Sequence, residues 1–267
     1  MEPYVRMPAA DQTVTYKNAK EIAQMRESGR IVASIVKELK CRAEPGMTTL
    51  DLDRIAADIM KRHGATSTAL HYPPGAHPKN QFPGHICVSL NDQVVHGIPG
   101  PRRLRLGDLI KVDVAASYQG WVADTAASFT VGPPSPKVEK LLRITEEALH
   151  RGIEQARPGN RMGDISNAIQ RHVESNGLAV VREFVGHGVG RSMHEAPQVP
   201  HLGPAGQGRK LLEGLCLAIE PQVNLGQAGV RMLDDGWTAV TLDGSWSAHF
   251  EHTVAVTADG PLVLTLP

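Results

Sequence analysis

The sequence predicts an α+β protein of two related halves. Three observations lead there. Long helical periodicities alternate with short apolar runs of strand type. A Pro-Gly turn followed by a helix occurs at Pro45-Gly46 and again at Pro158-Gly159. Four acidic residues, Asp113, Asp124, Glu220 and Glu251, stand in or beside apolar runs, where carboxylates are least expected.

Taken in order, residues 1–16 read as a leader, with Pro3, Pro8 and a polar Asp11-Gln12-Thr13, that packs late or stays mobile. Over residues 18–42, Ile22, Met25, Ile31, Val32, Ile35, Val36 and Leu39 recur at helical spacing, and Pro45-Gly46 ends the element. A second helix is expected over residues 49–63, with Thr48 or Thr49 as N-cap and Asp51 in its first turn. Residues 70–83 (LHYPPGAHPKNQFP) form a loop, because Pro73-Pro74 and Gly75 exclude regular structure. Residues 86–90 read as a strand leading to Asn91 and the His96-Gly97-Ile98-Pro99 segment. Leu109, Ile110, Val112 and Val114 mark a buried strand, Gln119-Gly120 a turn, and Trp121, Val122 and Ala123 the returning strand.

A long amphipathic helix over residues 135–157 opens the second half. Pro158-Gly159 then lies over Pro45-Gly46, Asp164 over Asp51, Ile165 over Leu52, Val173 over Met60 and Gly177 over Gly64, each 113 positions on. This reads as an internal duplication of helix, turn, helix and strands. Residues 203–208 form another loop, and residues 215–223, 237–241 and 249–256 are strand-rich. The halves fall at residues 17–134 and 135–267 of one domain over 17–267.

Composition narrows the function. Acidic and basic residues number 28 each, so no basic face is offered to nucleic acid. No apolar run reaches the roughly 18 residues that span a bilayer, and no signal peptide is seen, so a cytoplasmic location is expected. Cys41, Cys87 and Cys216 are too few and too scattered for a disulfide framework or a thiolate metal site.

The chemistry lies in the buried acids. Two carboxylates brought together by a hairpin repel, and one takes up a proton unless a cation sits between them. Taken alone, Asp113 and Asp124 are equally an edge-facing acid and a turn cap. Their company changes that: His187 and His194 in GHGVGRSMHE, Glu220 in LCLAIEPQV and Glu251 in SAHFEHTVAV. Four acids with one imidazole favour hard or borderline dications such as Mn, Co, Fe or Zn. Their charge suits two such ions, the arrangement that activates a water and polarises an amide carbonyl together.

The five positions, in the order Asp, Asp, His, Glu, Glu, resemble the dinuclear site of the type I methionine aminopeptidases. The step from Asp113 to Asp124, HGIP at 96–99, GHGVG at 186–190, His194, IEP at 219–221 and EHT at 251–253 all match that family, over the chain from about residue 17 to its end. The resemblance implies the pita-bread (creatinase/aminopeptidase) fold, in which a curved antiparallel sheet is covered by helices on its outer side and carries the site on its inner face. It assigns Asp113 to one metal, His187 and Glu220 to the other, and Asp124 and Glu251 to both. Glu220 serves as general base, His96 hydrogen-bonds around the scissile amide, and His194 holds the carbonyl oxygen as charge develops. Phe82, Cys87, Met193 and Trp237 are expected to line a methionine pocket, and Asn91 and Ser247 match positions that hold a monovalent cation. The implied activity is metal-dependent removal of the initiator methionine from nascent polypeptides, by a monomer working at the ribosome, when the second residue is small.

The sequence departs from the family at three places. An aromatic is usual where Met193 stands, a glutamine is usual at His249, and the loop at 72–81 is longer than usual. His249, two positions before Glu251, is expected to reach the site as a hydrogen-bond donor, and most other histidines are expected at the surface or in packing. The rival of the same fold is a proline-directed peptidase, which shares the five ligands but ordinarily carries an added N-terminal domain. A non-catalytic relative that binds a ribosome or nucleic acid is the other, and it is expected to have lost ligands.

Overall fold

The four helices owe their ends to short-range chemistry, and the computed structural model, which describes residues 13–267, places all four where periodicity predicts them. Helix α1 spans Ala19–Arg42, capped by Asn18, whose side chain accepts the Glu21 amide while Glu21 accepts that of Asn18. Helix α2 spans Thr49–His63 and is closed by the same reciprocal pair, Thr48 and Asp51. Helices α3 (Pro136–Glu154) and α4 (Met162–Ser175) follow. Ahead of α4 the Asp164 carboxylate takes the Arg161 amide at 2.7 Å, as Asp51 takes that of Thr48 at 2.8 Å.

The matched turns are alike as well. Gly46 and Gly159 have φ of +94° and +95°, and Gly64 and Gly177 have φ of +67° and +73°, left-handed conformations that a Cβ would strain. Thr48 bridges to Arg103, and Arg161, its counterpart, bridges to Lys210.

Among the described residues the strands form one nine-stranded sheet and two three-stranded ones, with every pairing antiparallel. At the centre of the large sheet the hairpin Leu109–Tyr118 and Trp121–Thr130 pairs with Glu251–Thr257, which pairs with Cys216–Ile219 and, beyond it, Gly186–Gly188. Alternation then sorts the side chains. Ile110, Val112, Val114 and Ala116 join α1 and α2 in one apolar core. Leu217, Ile219, Val254 and Val256 join α3 and α4 in another. The odd positions of the first strand, Lys111, Asp113 and Ala115, point to the opposite face.

Three expectations change in detail. Helix α3 stops at Glu154 rather than 157, since the residue before Pro158 is disfavoured in α conformation. Residues 70–83 are not wholly irregular, containing one 3₁₀ turn, Pro78–Asn80. The strand at 237–241 shortens to Ala239–Thr241 because Asp235 takes the amides of Trp237 and Thr238 at 2.9 and 2.8 Å, making a turn. Of the leader expected over residues 1–16, residues 1–12 lie outside the described ones, while Thr15 bonds Glu195 at 2.7 Å, as does Lys17 just beyond it. Among the described residues no helix is long and apolar enough to cross a membrane.

Gly186 sits where two strands close on it, so that a Cβ there would run into the carbonyl of Ala218. Gly186→Ala is expected to lower stability by about 1–3 kcal/mol, the usual range for overpacking, measured as the shift in the urea midpoint.

Candidate metal centre

Strand register alone assembles the acidic site. Cys87 pairs with Asp113, Asp113 with Ala126, and Ala126 with Glu251. Two residues along, Ala115 pairs with Asp124, while Thr253 pairs with Ala218 and Ala218 with His187. Thr253 closes this second row, its hydroxyl accepting the Asp124 amide at 2.9 Å and donating to the Asp124 carbonyl at 2.8 Å. Partners across a ladder share a face, so both rows point the same way. Glu220 follows the Cys216–Ile219 strand directly. The expected ligands, Asp113, Asp124, His187, Glu220 and Glu251, all line one cavity. Small residues alternate with them: Ala115, Ala126 and Ala218.

His187 is oriented by its own backbone neighbour. Its Nδ1 lies 2.9 Å from the Gly188 carbonyl, which can only accept, so Nδ1 carries the proton and Nε2 presents a lone pair. Nε2 is 3.5 Å from Glu220 Oε1 and 3.9 Å from Asp124 Oδ2. Burial holds the ring neutral, with a pKa down to about 4.

The carboxyls are displaced the other way. Burial lifts Asp113 to about 7. Burial first, and then the neighbouring carboxylates, push Asp124, Glu220 and Glu251 well above their ordinary range. Among the described residues no hydrogen-bond partner reaches the buried Asp124 Oδ1, and the Asp113 carboxyl lies close enough to raise the Asp124 pKa. One ligand atom each from Asp124, His187 and Glu251 lies within 4.8 Å of the others. Crowded, dehydrated carboxylates around a lone imidazole nitrogen are satisfied by divalent cations, so the residues present fit the implied metal.

The cavity has an apolar side. Phe82 and Trp237 meet edge to face at 5.3 Å, and Cys87 packs with them, joined by Ala69, Tyr72 and Ile98. Met193 closes the cavity, its sulfur 3.3 Å from the Thr68 hydroxyl. His96 stands 6.3 Å from Trp237 with φ of +58°, a strained conformation of the kind that clusters at functional sites. His194 stacks edge-on against His187 at 4.4 Å.

Comparison with known proteins fits this arrangement. The model of metallopeptidase family M24 matches residues 23–258. A methionine aminopeptidase of Clostridium perfringens is 48% identical over 253 residues, covering 95% of this chain and 99% of its own length. The chain belongs to metallopeptidase family M24 and, within it, to the methionine aminopeptidases. Methionine aminopeptidase 1 of Bacillus subtilis is 48% identical over 249 residues, 93% of this chain and 98% of that protein. The crystal structure of the Thermotoga maritima methionine aminopeptidase superposes with a TM-score of 0.91 at 40% identity, covering 96% of this chain and all of that one. The prolidase of Pyrococcus furiosus shares the fold, with a TM-score of 0.76 at 22% identity over 94% of this chain and 65% of its own. The pita-bread fold expected of an M24 member is therefore the one present.

Within this M24 site some side chains were not singled out by sequence. Tyr72, from the long loop, places its hydroxyl 2.6 Å from His194 Nδ1. Gln222 Nε2 donates to Glu220 Oε2 at 2.9 Å, and buried His201 accepts the Glu220 amide at 3.3 Å, behind the site rather than at the surface. His249 lies beside the site, its Nε2 3.7 Å from Glu220 Oε2, but among the described residues it makes no hydrogen bond there, so the expected donor role is not met in this structure; Phe250 separates its strand from that of Glu251. At Asn91 and Ser247, expected to hold a monovalent cation, Lys111 Nζ lies between the two carbonyls at 2.7 and 2.9 Å.

These displacements set a pH dependence for the metal-free protein. Raised carboxyl pKa values mean the native state holds protons that the unfolded chain releases, so stability falls as pH rises toward the native values. The buried histidines act oppositely, but their contribution is complete once pH passes the ordinary 6.5. From pH 6.5 to about 8 the melting temperature of metal-free protein should therefore fall, and manganese or cobalt should abolish the fall. Calorimetry with and without metal reads both outcomes.

Proposed function

We propose that this chain is a methionine aminopeptidase that removes the initiator methionine from nascent polypeptides whose second residue is small and uncharged. The observation that carries the proposal is the meeting of an acid-rich metal centre with the Phe82, Cys87, Trp237 and Met193 slot in one cavity. Aromatic and sulfur side chains suit a thioether, and the slot runs directly up to Asp113 through Cys87, its partner across the ladder.

Asp113, with His187 and Glu220 opposite and Asp124 and Glu251 between, forms the ligand set for two dications of the Mn, Co, Fe or Zn type. When bound, the metals supply Lewis acidity for the scissile carbonyl and lower the pKa of a water. The chain supplies the rest. Glu220, held by Gln222, is placed to accept the proton of the attacking water and pass it to the leaving amine. Burial raises the pKa of the Tyr72 hydroxyl, which keeps its proton 2.6 Å from His194 Nδ1; in the tautomer whose Nδ1 accepts that proton, the His194 proton resides on Nε2, a donor for the carbonyl oxygen as charge develops. His96, kept neutral by burial with a pKa near 4, lies beside the methionine slot and is suited to hydrogen-bond the substrate backbone. The working unit is a single domain over 17–267 whose halves each contribute ligands. A monomer acting in the cytoplasm, at the ribosome, completes the reading.

The decisive experiment titrates metal-free protein with Co, Mn, Fe and Zn and follows hydrolysis of Met-Ala-Ser beside peptides containing proline. Methionine release that needs metal and vanishes in the Asp113→Asn, Asp124→Asn double variant is expected. Cleavage only before proline gives the site to a proline-directed peptidase instead. Tyr72→Phe should reduce kcat about 10- to 100-fold, as loss of a hydrogen bond that orients an active-site histidine commonly does, with metal content unchanged by mass spectrometry.

A further inference from the structure

The backbone pocket that would hold a monovalent cation is formed by the carbonyls of Asn91 and Ser247. Its acceptors are already engaged. Lys111 Nζ lies 2.7 Å from the first carbonyl and 2.9 Å from the second, on a side chain that is 1% exposed. The side-chain groups are used elsewhere: Asn91 Oδ1 accepts the Leu109 amide at 2.8 Å, Asn91 Nδ2 donates to Asp108 at 2.9 Å, and the Ser247 hydroxyl donates to the Val223 carbonyl at 3.1 Å. A free ion has no room beside an ammonium on the same two oxygens.

We propose that the Lys111 ammonium is itself the cation of this site, a covalently tethered replacement that makes the protein independent of sodium and potassium. Carbonyl oxygens only accept, so the two contacts require a donor or a cation, and an ammonium is both. Burial, the largest influence, pulls the Lys111 pKa well below its ordinary range, with Arg102 acting the same way and Asp92 against them; the two hydrogen bonds to carbonyl oxygens favour the charged form. The position matters for the metal centre. Lys111 is two residues before Asp113 on the same face of its strand, Asn91 ends the strand pairing with it, and Ser247 precedes Glu251 by four positions. The Ser247 amide also donates to the Asn91 carbonyl at 3.1 Å. Lys111 thus acts as a positioning residue, tying the strand of one ligand to the segment that delivers another.

The test is thermal melting of the full-length metal-loaded protein in sodium, potassium or tetramethylammonium chloride at equal ionic strength. It is read without peptide, so that its outcome is separate from that of the proposed peptidase activity. Wild type should melt at one temperature in all three salts. Lys111→Ser, which opens space beside the two carbonyls, should melt lower in tetramethylammonium and recover saturably with sodium or potassium, a response that simple loss of packing does not give. Lys111→Gln, a neutral donor, should fall below wild type in every salt, with kcat for methionine release reduced about tenfold. A saturable gain by wild type in sodium or potassium overturns the proposal, and so does Lys111→Gln behaving as wild type or Lys111→Ser melting alike in all three salts. If the variants do not fold, the wild-type comparison alone decides.

Discussion

Mutual repulsion among buried carboxylates is the constraint on which this molecule turns. Four acids collected on one face of a sheet, with one neutral imidazole, have no favourable state in a dry interior unless protons or cations neutralise them. The apolar clusters of the helices hold the strands in the register that brings the acids together. Packing thus does work against electrostatics, and the metal ions relieve it. The protein is in this sense assembled around a charge that it does not itself carry.

Helix and turn chemistry was legible because it is local. The period of Ile22 to Leu39, the reciprocal caps at Thr48 and Asp51, and the glycines at 46, 64, 159 and 177 are each decided within a few residues. The five residues expected as ligands were legible for a different reason, since acids in strand-like runs are conspicuous, and the family resemblance suggested their roles. What escaped were contacts between distant segments. Lys111 reaches across 136 positions to Ser247, and Tyr72 across 122 to His194. A lysine within a β-like run, or a tyrosine in a proline-rich loop, gives no local sign of its partner. His201 and Gln222 were missed likewise, because their value lies in touching Glu220 rather than in any pattern of their own.

The two halves contribute unequally to a centre that neither completes. Asp113 and Asp124 come from one hairpin of the first, His187 and Glu251 from two strands of the second, and Glu220 from the residue just after a third. The ladder between Trp121–Thr130 and Glu251–Thr257 is where they meet, and Thr253, bonded twice to the Asp124 backbone, fixes that junction. The apolar side of the cavity comes partly from loops over this frame, including the segment with Tyr72 and Phe82.

The alanines at 115, 126 and 218 give the site its breadth by the atoms they lack. They occupy the same two rows as Asp113, Asp124, His187 and Glu251, almost fully buried, and Ala115 lines the cavity itself. Their chemistry is the most commonplace in the chain, yet evolutionary drift toward valine or leucine there would fill the catalytic chamber without touching a ligand. Tolerance to substitution across this sheet is therefore governed by volume as much as by charge, and the quietest residues in it are among the least free to vary.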